Sequence, residues 1–174
     1  MSIIARVQPD VVTYGFTTAS FFEGPTGAEA LRDRMAALVP CPIVLPSLAI
    51  VQALSLLKAR RLSVVTPYPA WNNDVLSSFL EQCSFELLNL AGDEREDRSS
   101  FPLWGQDPSE AFSRILEHAC TQADVVLLPC TAWRTFEVAA ELQQRLGMPV
   151  VTANQATSWA ISRALGLTDA HPWA

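Results

Sequence analysis

The sequence predicts an α/β fold with two pseudo-symmetric lobes, each a parallel sheet flanked by helices, and a site in the cleft between them. Short β-rich runs alternate with amphipathic helical patterns along the chain, which is typical of a parallel sheet with crossover helices. Several runs are continuously apolar, as strands covered on both faces must be. A segment near the N-terminus also recurs after residue 123, which indicates a duplicated unit.

The strands follow from the apolar runs and from the turn residues that bound them. Each run is three to six residues long, and helical patterns fill the segments between them. We predict strands at Val11–Tyr14, Ile43–Leu45, Leu62–Thr66, Phe85–Leu90, Val125–Leu128 and Val150–Thr152.

Two helices carry clear local signals. In Glu29–Val39, the spacing of Leu31, Met35 and Leu38 gives one apolar face. A second helix begins after Asp107, a favoured N-cap residue, and Pro108 then fits its first position. Glu110 in the first turn agrees with this start. We expect the polar segment 92–106 to be a solvated loop.

Composition bounds the partners and the compartment. Of the 174 residues, 49% are hydrophobic and 17% are charged, which suffices for one compact domain or two small lobes. The net charge of -6 is spread without a Lys/Arg block, so we expect no nucleic-acid partner. Neither a membrane-spanning run nor a signal sequence is recognisable, so we expect no membrane partner and a cytoplasmic location.

The cysteines are more consistent with free thiols than with a disulfide framework. Cys41, Cys83, Cys120 and Cys130 lie among apolar segments without CxxC spacing. Because the chain has 2 histidines, a zinc site is also not expected.

The internal repeat defines the candidate cleft. Asp10-Val-Val-Thr-Tyr-Gly-Phe-Thr17 aligns without gaps with Asp124-Val-Val-Leu-Leu-Pro-Cys-Thr131, and Cys41-Pro-Ile-Val44 later matches Met148-Pro-Val-Val151. Ligands bind at the carboxyl ends of strands in open α/β sheets, so both copies should face one cleft there. We therefore assign residues 1–60 to a first lobe, 61–150 to a second, and 151–174 to a helical segment returning toward the first.

The first copy is shorter than the second. The strand Leu62–Thr66 precedes Val125 in the second copy, whereas only ten residues precede Val11 in the first. We expect the first lobe to lack an N-terminal strand and helix. An incomplete sheet leaves an unpaired edge that invites pairing, so a homodimer is also expected.

Cys130 is the main candidate for chemistry. It follows a buried strand and precedes 131–135, where we place the start of a helix. Backbone N–H groups and a helix N-terminus would lower the pKa of its thiol from about 8.5 toward neutrality. On spacing alone, a small buried core cysteine explains the residue equally well.

Hydroxyl groups follow the equivalent strands. Thr17 and Thr18 form a polar turn that could hold a carboxylate or an enediolate, although such turns are also common caps. Tyr68 ends Val64-Val-Thr-Pro-Tyr68 and could donate to a substrate oxygen, or could be an ordinary tyrosine at the rim of the core. We interpret Asn154 as the cap of the helix that follows it.

Four motifs together resemble the arylmalonate decarboxylase and maleate cis-trans isomerase branch of the aspartate/glutamate racemase superfamily. Their order and spacing match through nearly the whole chain. The resemblance implies a cofactor-independent enzyme that acts on a small carboxylate without a metal or organic cofactor. The motifs are Tyr14-Gly-Phe-Thr-Thr-Ala-Ser-Phe21, Val65-Thr-Pro-Tyr68, Leu128-Pro-Cys-Thr131 and Pro149-Val-Val-Thr-Ala-Asn-Gln-Ala156.

The same resemblance implies roles for the site residues. Isomerases and racemases of this superfamily supply a cysteine from each lobe, and Phe16 stands at the first of these positions. Arylmalonate decarboxylases keep the second cysteine, so Cys130 would protonate the carbanion that is left after carbon dioxide departs. Phe16 would reshape the pocket beside the reacting carbon. The implied enediolate-stabilising residues are Thr17, Thr18, Tyr68 and Thr131.

Three functions are consistent with these residues. Decarboxylation of a malonate-type acid explains the pairing of Cys130 with Phe16 most directly. Alternatively, the chain is a maleate cis-trans isomerase or a racemase-type isomerase in which another group, or a partner chain, replaces the first thiol. A carboxylate-binding or fragmentary family member without catalytic activity is the third possibility.

Overall fold

The computed structural model describes residues 3–93, 105–167 and 171–173. Strands and helices alternate along the described residues, so the predicted α/β class is confirmed. The strands are β1 (Val12–Thr13), β2 (Ile43–Val44), β3 (Arg61–Val65), β4 (Glu86–Ala91), β5 (Val125–Leu128) and β6 (Val150–Thr152). The helices are α1 (Ile3–Arg6), α2 (Thr17–Phe21), α3 (Gly24–Ala36), α4 (Pro46–Leu56), α5 (Ala70–Gln82), α6 (Pro108–His118), α7 (Ala139–Leu146) and α8 (Ala153–Ala164).

Two parallel sheets form the framework. The larger sheet has the strand order β4-β3-β5-β6, and the smaller one pairs β1 with β2. Every residue of β5 is buried, because β3 and β6 flank it and helices cover its faces. This explains why β5 is a continuous apolar run in the sequence.

The two copies of the internal repeat have the same strand register. Val12 lies opposite Ile43 in the smaller sheet, and Val126 lies opposite Val150 in the larger one. These two pairs are equivalent positions of the sequence repeat. The two copies therefore adopt the same strand pairing, which places the turn after β1 and the turn after β5 at corresponding edges.

Helix α3 starts earlier than the sequence pattern predicted. It spans Gly24–Ala36, because Pro25 fits the first turn, where its missing N–H would have no partner. Leu38 lies beyond the helix end and is 62% exposed, so the predicted apolar face is wrong at that position. Leu31 and Met35 are half-buried.

The predicted start of α6 is confirmed. The Asp107 side chain accepts a hydrogen bond from the Ser109 backbone N–H at 2.8 Å, and Pro108 opens the helix. Most of the predicted loop 92–106 lies outside the described residues.

Within the described ranges, one cluster of buried apolar side chains extends through both sheets. Helix α8 packs against α4 and contacts both β2 and β6. Val44 and Val151 thus belong to one core, and this fixes the strand ends of the smaller sheet relative to those of the larger. Lobe boundaries at residues 60 and 150 stay a prediction. Among the described residues, no helix has both the length and the apolar character needed to cross a membrane.

Candidate functional site

The turns that follow β1 and β5 are in direct contact. The Thr17 hydroxyl donates to Thr131 Oγ1 at 3.3 Å, and the Thr131 hydroxyl donates to the Gly15 carbonyl at 3.2 Å. Both turns lie at the carboxyl ends of parallel strands, where α/β proteins bind ligands. The structure therefore brings together the two halves of the cleft that the repeat predicted.

Cys130 lies beneath this contact and is 6% exposed. Burial raises the pKa of its thiol, and this outweighs the lowering by hydrogen bonds from Tyr68 and from the backbone N–H groups of Ala132 and Trp133. The net pKa is raised, so the prediction of a lowered pKa is wrong. A neutral thiol at physiological pH is the consequence.

The predicted helix start beside Cys130 is also wrong. Residues 131–138 form turns, and α7 begins at Ala139. The predicted backbone N–H groups are present, but the positive end of a helix is not close in sequence. This is one reason why burial dominates the pKa of Cys130.

Tyr68 is buried against Cys130. Its hydroxyl donates to the Pro129 carbonyl at 3.1 Å. The pKa of Tyr68 is raised well above its ordinary value by burial and by the nearby Cys130, while hydrogen bonds from Thr18 and Thr17 lower it. Tyr68 is therefore a neutral hydrogen-bond donor next to the thiol, as its position after β3 suggested.

Thr18 connects Tyr68 to a residue that the sequence did not reveal. The Asn72 amide Nδ2 donates to Thr18 Oγ1 at 3.0 Å, and both residues are buried. Asn72 shares one face of α5 with Leu76, Phe79 and Leu80, which are also buried. An asparagine at helical spacing on an apolar face was the signal that could have identified it.

Its neighbour Asn73 supports the backbone of the site. The Thr66 hydroxyl donates to Asn73 Oδ1 at 2.7 Å, and Asn73 Nδ2 donates to the Tyr68 carbonyl at 3.0 Å. The Tyr68 backbone N–H also donates to Thr66 Oγ1 at 3.1 Å. These bonds fix the turn that carries the Tyr68 phenol.

Phe16 lies on the outer side of the site. It is 56% exposed and lines a cavity of about 380 Å³ together with Tyr14, Phe22 and Leu31. Thr18 also lines this cavity, so its position adjoins both the open space and the buried Tyr68. Cys130 and Tyr68 are not among the residues that line this cavity, so the role of Phe16 beside the reacting carbon stays a prediction.

Asn154 is not the cap of α8. Thr152 takes that position, and its hydroxyl accepts a hydrogen bond from the Gln155 backbone N–H at 3.0 Å. Asn154 Nδ2 instead donates to the Thr131 carbonyl at 3.2 Å and so supports the turn after Cys130. Within the described residues, no group of three His, Cys, Asp or Glu side chains could hold a metal ion.

The arrangement suits proton transfer to a small, polar ligand. A neutral thiol, a neutral phenol and several hydroxyls surround the point where the two strand-end turns meet. The family model described as arylmalonate decarboxylase matches residues 4–172. The chain belongs to the arylmalonate decarboxylase family. This confirms the family that the motifs indicated.

Relatives of two activities are similar to this family member. A maleate isomerase of Pseudomonas putida is 28% identical over 76% of this chain and 53% of its own length. An arylmalonate decarboxylase of Bordetella bronchiseptica is 29% identical over 90% of this chain and 65% of its own length. The chain thus spans between about half and two thirds of the length of these curated relatives.

Solved structures of the same two kinds share the fold. A liganded double mutant of arylmalonate decarboxylase is 25% identical, with a TM-score of 0.88 over 98% of this chain and 73% of that one. A maleate cis-trans isomerase of Nocardia farcinica with a covalently bound succinylcysteine intermediate is 21% identical. Its TM-score is 0.89 over 98% of this chain and 71% of that one. The two-sheet architecture of the family is therefore present in this chain.

Proposed function

We propose that this chain provides the acid-base site of a cofactor-independent decarboxylase that acts on a malonate-type diacid. The observation that carries the proposal is Cys130, which is buried and keeps its proton at neutral pH because burial raises its pKa. A group of this kind suits proton donation better than nucleophilic attack, since the thiolate is the nucleophilic form.

The proposed reaction needs one proton donor. The bond between the α-carbon and one carboxylate breaks, carbon dioxide leaves, and the electron pair remains as an enediolate on the other carboxylate. Cys130 then gives its thiol proton to the α-carbon, and the resulting thiolate takes a proton from water. Hydrogen bonds to the developing charge lower the barrier.

Hydroxyl groups of the two turns supply these hydrogen bonds in the proposal. Thr17 and Thr131 already contact each other, so both can reach an oxygen placed between the turns. Tyr68 lies beside the thiol, and Thr18 adjoins Tyr68. We assign Thr17, Thr18, Tyr68 and Thr131 to the enediolate, Phe16 to the wall of the pocket, and Cys130 to the proton.

A maleate isomerase is the second candidate, and the 28% identity to the Pseudomonas putida maleate isomerase favours it. That reaction needs a nucleophilic thiol and a partner thiol. Phe16 can serve as neither, and the raised pKa of Cys130 disfavours the thiolate.

The cytoplasmic location and the homodimer stay predictions from the sequence.

The test is an NMR time course in deuterated buffer with aryl- and alkylmalonates and with maleate. We expect the parent protein to release carbon dioxide from a malonate and to place deuterium on the α-carbon. Cys130→Ala should slow this by about 10²- to 10⁴-fold, the usual loss when a general acid is removed.

Cys120→Ala is the matched control, because Cys120 is a free thiol outside the site. It should react like the parent. If maleate is the only compound turned over, the isomerase proposal replaces the decarboxylase proposal. Equal decarboxylation by the parent and Cys130→Ala would contradict the role of Cys130, and malonate binding without turnover would indicate a carboxylate-binding protein.

A further inference from the structure

Asn72 is a buried polar residue on the apolar face of α5. It is 5% exposed, and an amide in such a place costs free energy unless it is hydrogen-bonded. Its Nδ2 atom donates to Thr18 Oγ1 at 3.0 Å. Its Oδ1 atom has no hydrogen-bond partner among the described residues. Asn72 therefore contacts the site through one hydrogen bond, which it donates to Thr18.

That contact leaves the Thr18 hydroxyl hydrogen free to be donated to another acceptor. A hydroxyl has one hydrogen to donate, and its oxygen already accepts from the Asn72 amide. The hydrogen is then available to Tyr68, whose pKa is lowered by a hydrogen bond from Thr18. The Tyr68 hydroxyl itself donates to the Pro129 carbonyl. The donors run in one direction, from Asn72 through Thr18 and Tyr68 to the turn that carries Cys130.

We propose that Asn72 is a positioning residue that sets the direction of this hydrogen-bond chain and thereby aims the Tyr68 hydroxyl at the Pro129–Cys130 turn. The inference rests on the proposed function, because it gives Asn72 a part in preparing the proton donor. In a buried chain of hydrogen bonds, each bond polarises the next, so a change at one end alters the strength of the bond at the other end.

The pKa directions along the chain agree with this order. The hydrogen bond from Thr18 lowers the pKa of Tyr68, although burial raises it more. Once Cys130 ionises, its thiolate competes with the Pro129 carbonyl for the one hydrogen of the Tyr68 hydroxyl, and this donation lowers the pKa of Cys130 against the larger effect of burial. Tyr68 is the titratable side chain that acts on Cys130 within the described part of the chain.

The first test uses Asn72→Asp to reverse the direction of hydrogen-bond donation between residue 72 and Thr18. The introduced carboxylate can only accept, so it draws the Thr18 hydrogen away from Tyr68 and adds a negative charge. In a background where Cys41, Cys83 and Cys120 are serine, the rate of iodoacetamide reaction against pH gives the Cys130 titration. We expect its midpoint to rise by about one pH unit or more.

A second pair of variants separates positioning from mere packing. Asn72→Leu and Thr18→Val each interrupt the chain without adding charge, so each should raise the midpoint by a smaller amount. Combined, they should raise it no further than the larger single effect, since both break the same link. Asn89→Asp is the control, because the Asn89 amide donates to the His118 carbonyl outside the site.

An unchanged or lowered midpoint in Asn72→Asp would overturn the proposal, and so would additive effects of Asn72→Leu and Thr18→Val. If Asn72→Asp does not fold, the Thr18→Val and Asn72→Leu pair still decides the question. The thiol titration needs no turnover. Failure of this inference is therefore distinguishable from failure of the decarboxylase reaction.

Discussion

Phe16 and Cys130 occupy equivalent positions in the two copies of the repeat, yet their surroundings differ. Cys130 is 6% exposed and is covered by Tyr68, whereas Phe16 is 56% exposed and faces an open cavity. An aromatic ring can neither give nor take a proton, so one face of the proposed substrate has no acid-base group. Protonation from Cys130 alone would then give one stereochemical outcome.

Phe16→Cys should add the missing group on that face. Because Thr17 contacts Thr131, the introduced thiol lies at the position that mirrors Cys130. We expect the variant to exchange the α-hydrogen of the decarboxylation product for deuterium at least about 10-fold faster than the parent, as two-base catalysis allows. Proton NMR of the product in deuterated buffer measures this exchange.

Phe22→Cys is the matched control, since Phe22 is equally exposed at 56% and lines the same cavity. It should leave the exchange rate unchanged. Equal exchange in the Phe16→Cys and Phe22→Cys proteins would show that a thiol anywhere near the cavity suffices, and would contradict the mirrored arrangement.

At the scale of the elements, Asp124 joins the starts of β3 and β5. Its carboxylate accepts hydrogen bonds from the backbone N–H groups of Arg61 at 2.8 Å and Arg60 at 3.0 Å, and pairs with the Arg61 guanidinium at 2.9 Å. These bonds lower the pKa of Asp124 to about 2. The carboxylate therefore stabilises the register of two neighbouring strands.

Asp124→Asn should lower the free energy of unfolding by about 1 kcal/mol at neutral pH, a modest value because the pair is partly exposed. The folded pKa lies below the unfolded one. The contribution is thus complete above about pH 4 and disappears as the pH falls toward 2. Urea unfolding of the parent and the variant at several pH values measures it.

Asp10→Asn is the control, because exposed Asp10 is the counterpart of Asp124 in the first copy of the repeat. It should change the unfolding free energy by less than about 0.5 kcal/mol. A difference between parent and Asp124→Asn that persists unchanged at pH 2 would contradict the assigned role of the carboxylate.

The sequence predicted some elements better than others for physical reasons. The bounds of β5 and β6 are as predicted, because fully buried strands leave continuous apolar runs. Helix α2 was interpreted as a turn, since its five residues are too short for a hydrophobic period to appear. The contact of Asn72 with Thr18 depends on how α5 packs on α2, which a local pattern does not record.

The site was predictable in position and less so in electrostatics. The repeat identified the turns of Thr17 and Thr131 because duplicated strands end at equivalent edges. The pKa of Cys130 was predicted in the wrong direction, because local hydrogen bonds are visible in a sequence motif and the depth of burial is not. Burial is a property of the completed fold.

At the scale of the whole molecule, one core connects the two sheets, so they should unfold together. Leu54 of α4 is fully buried in this core, and Leu54→Ala should lower the free energy of unfolding by about 2 to 5 kcal/mol. Unfolding in urea, followed by near-UV and far-UV circular dichroism, should give one coincident transition for parent and variant.

Leu56→Ala is the control, because Leu56 lies on the same helix and is 44% exposed. Leu56→Ala should lower the free energy of unfolding by less than about 1 kcal/mol. Separate transitions at the two wavelengths would mean that the sheets unfold independently, against the continuous core.

The hydrogen bond between Thr17 and Thr131 joins residues 114 positions apart. Closing a loop of that length requires a large loss of chain entropy before any contact across it is gained. The strands of each copy are much nearer in sequence and can pair first. The cleft then forms late in folding, and an intermediate with paired strands would lack the ligand-binding site. A ligand that binds the cleft would accordingly slow unfolding more than it speeds refolding.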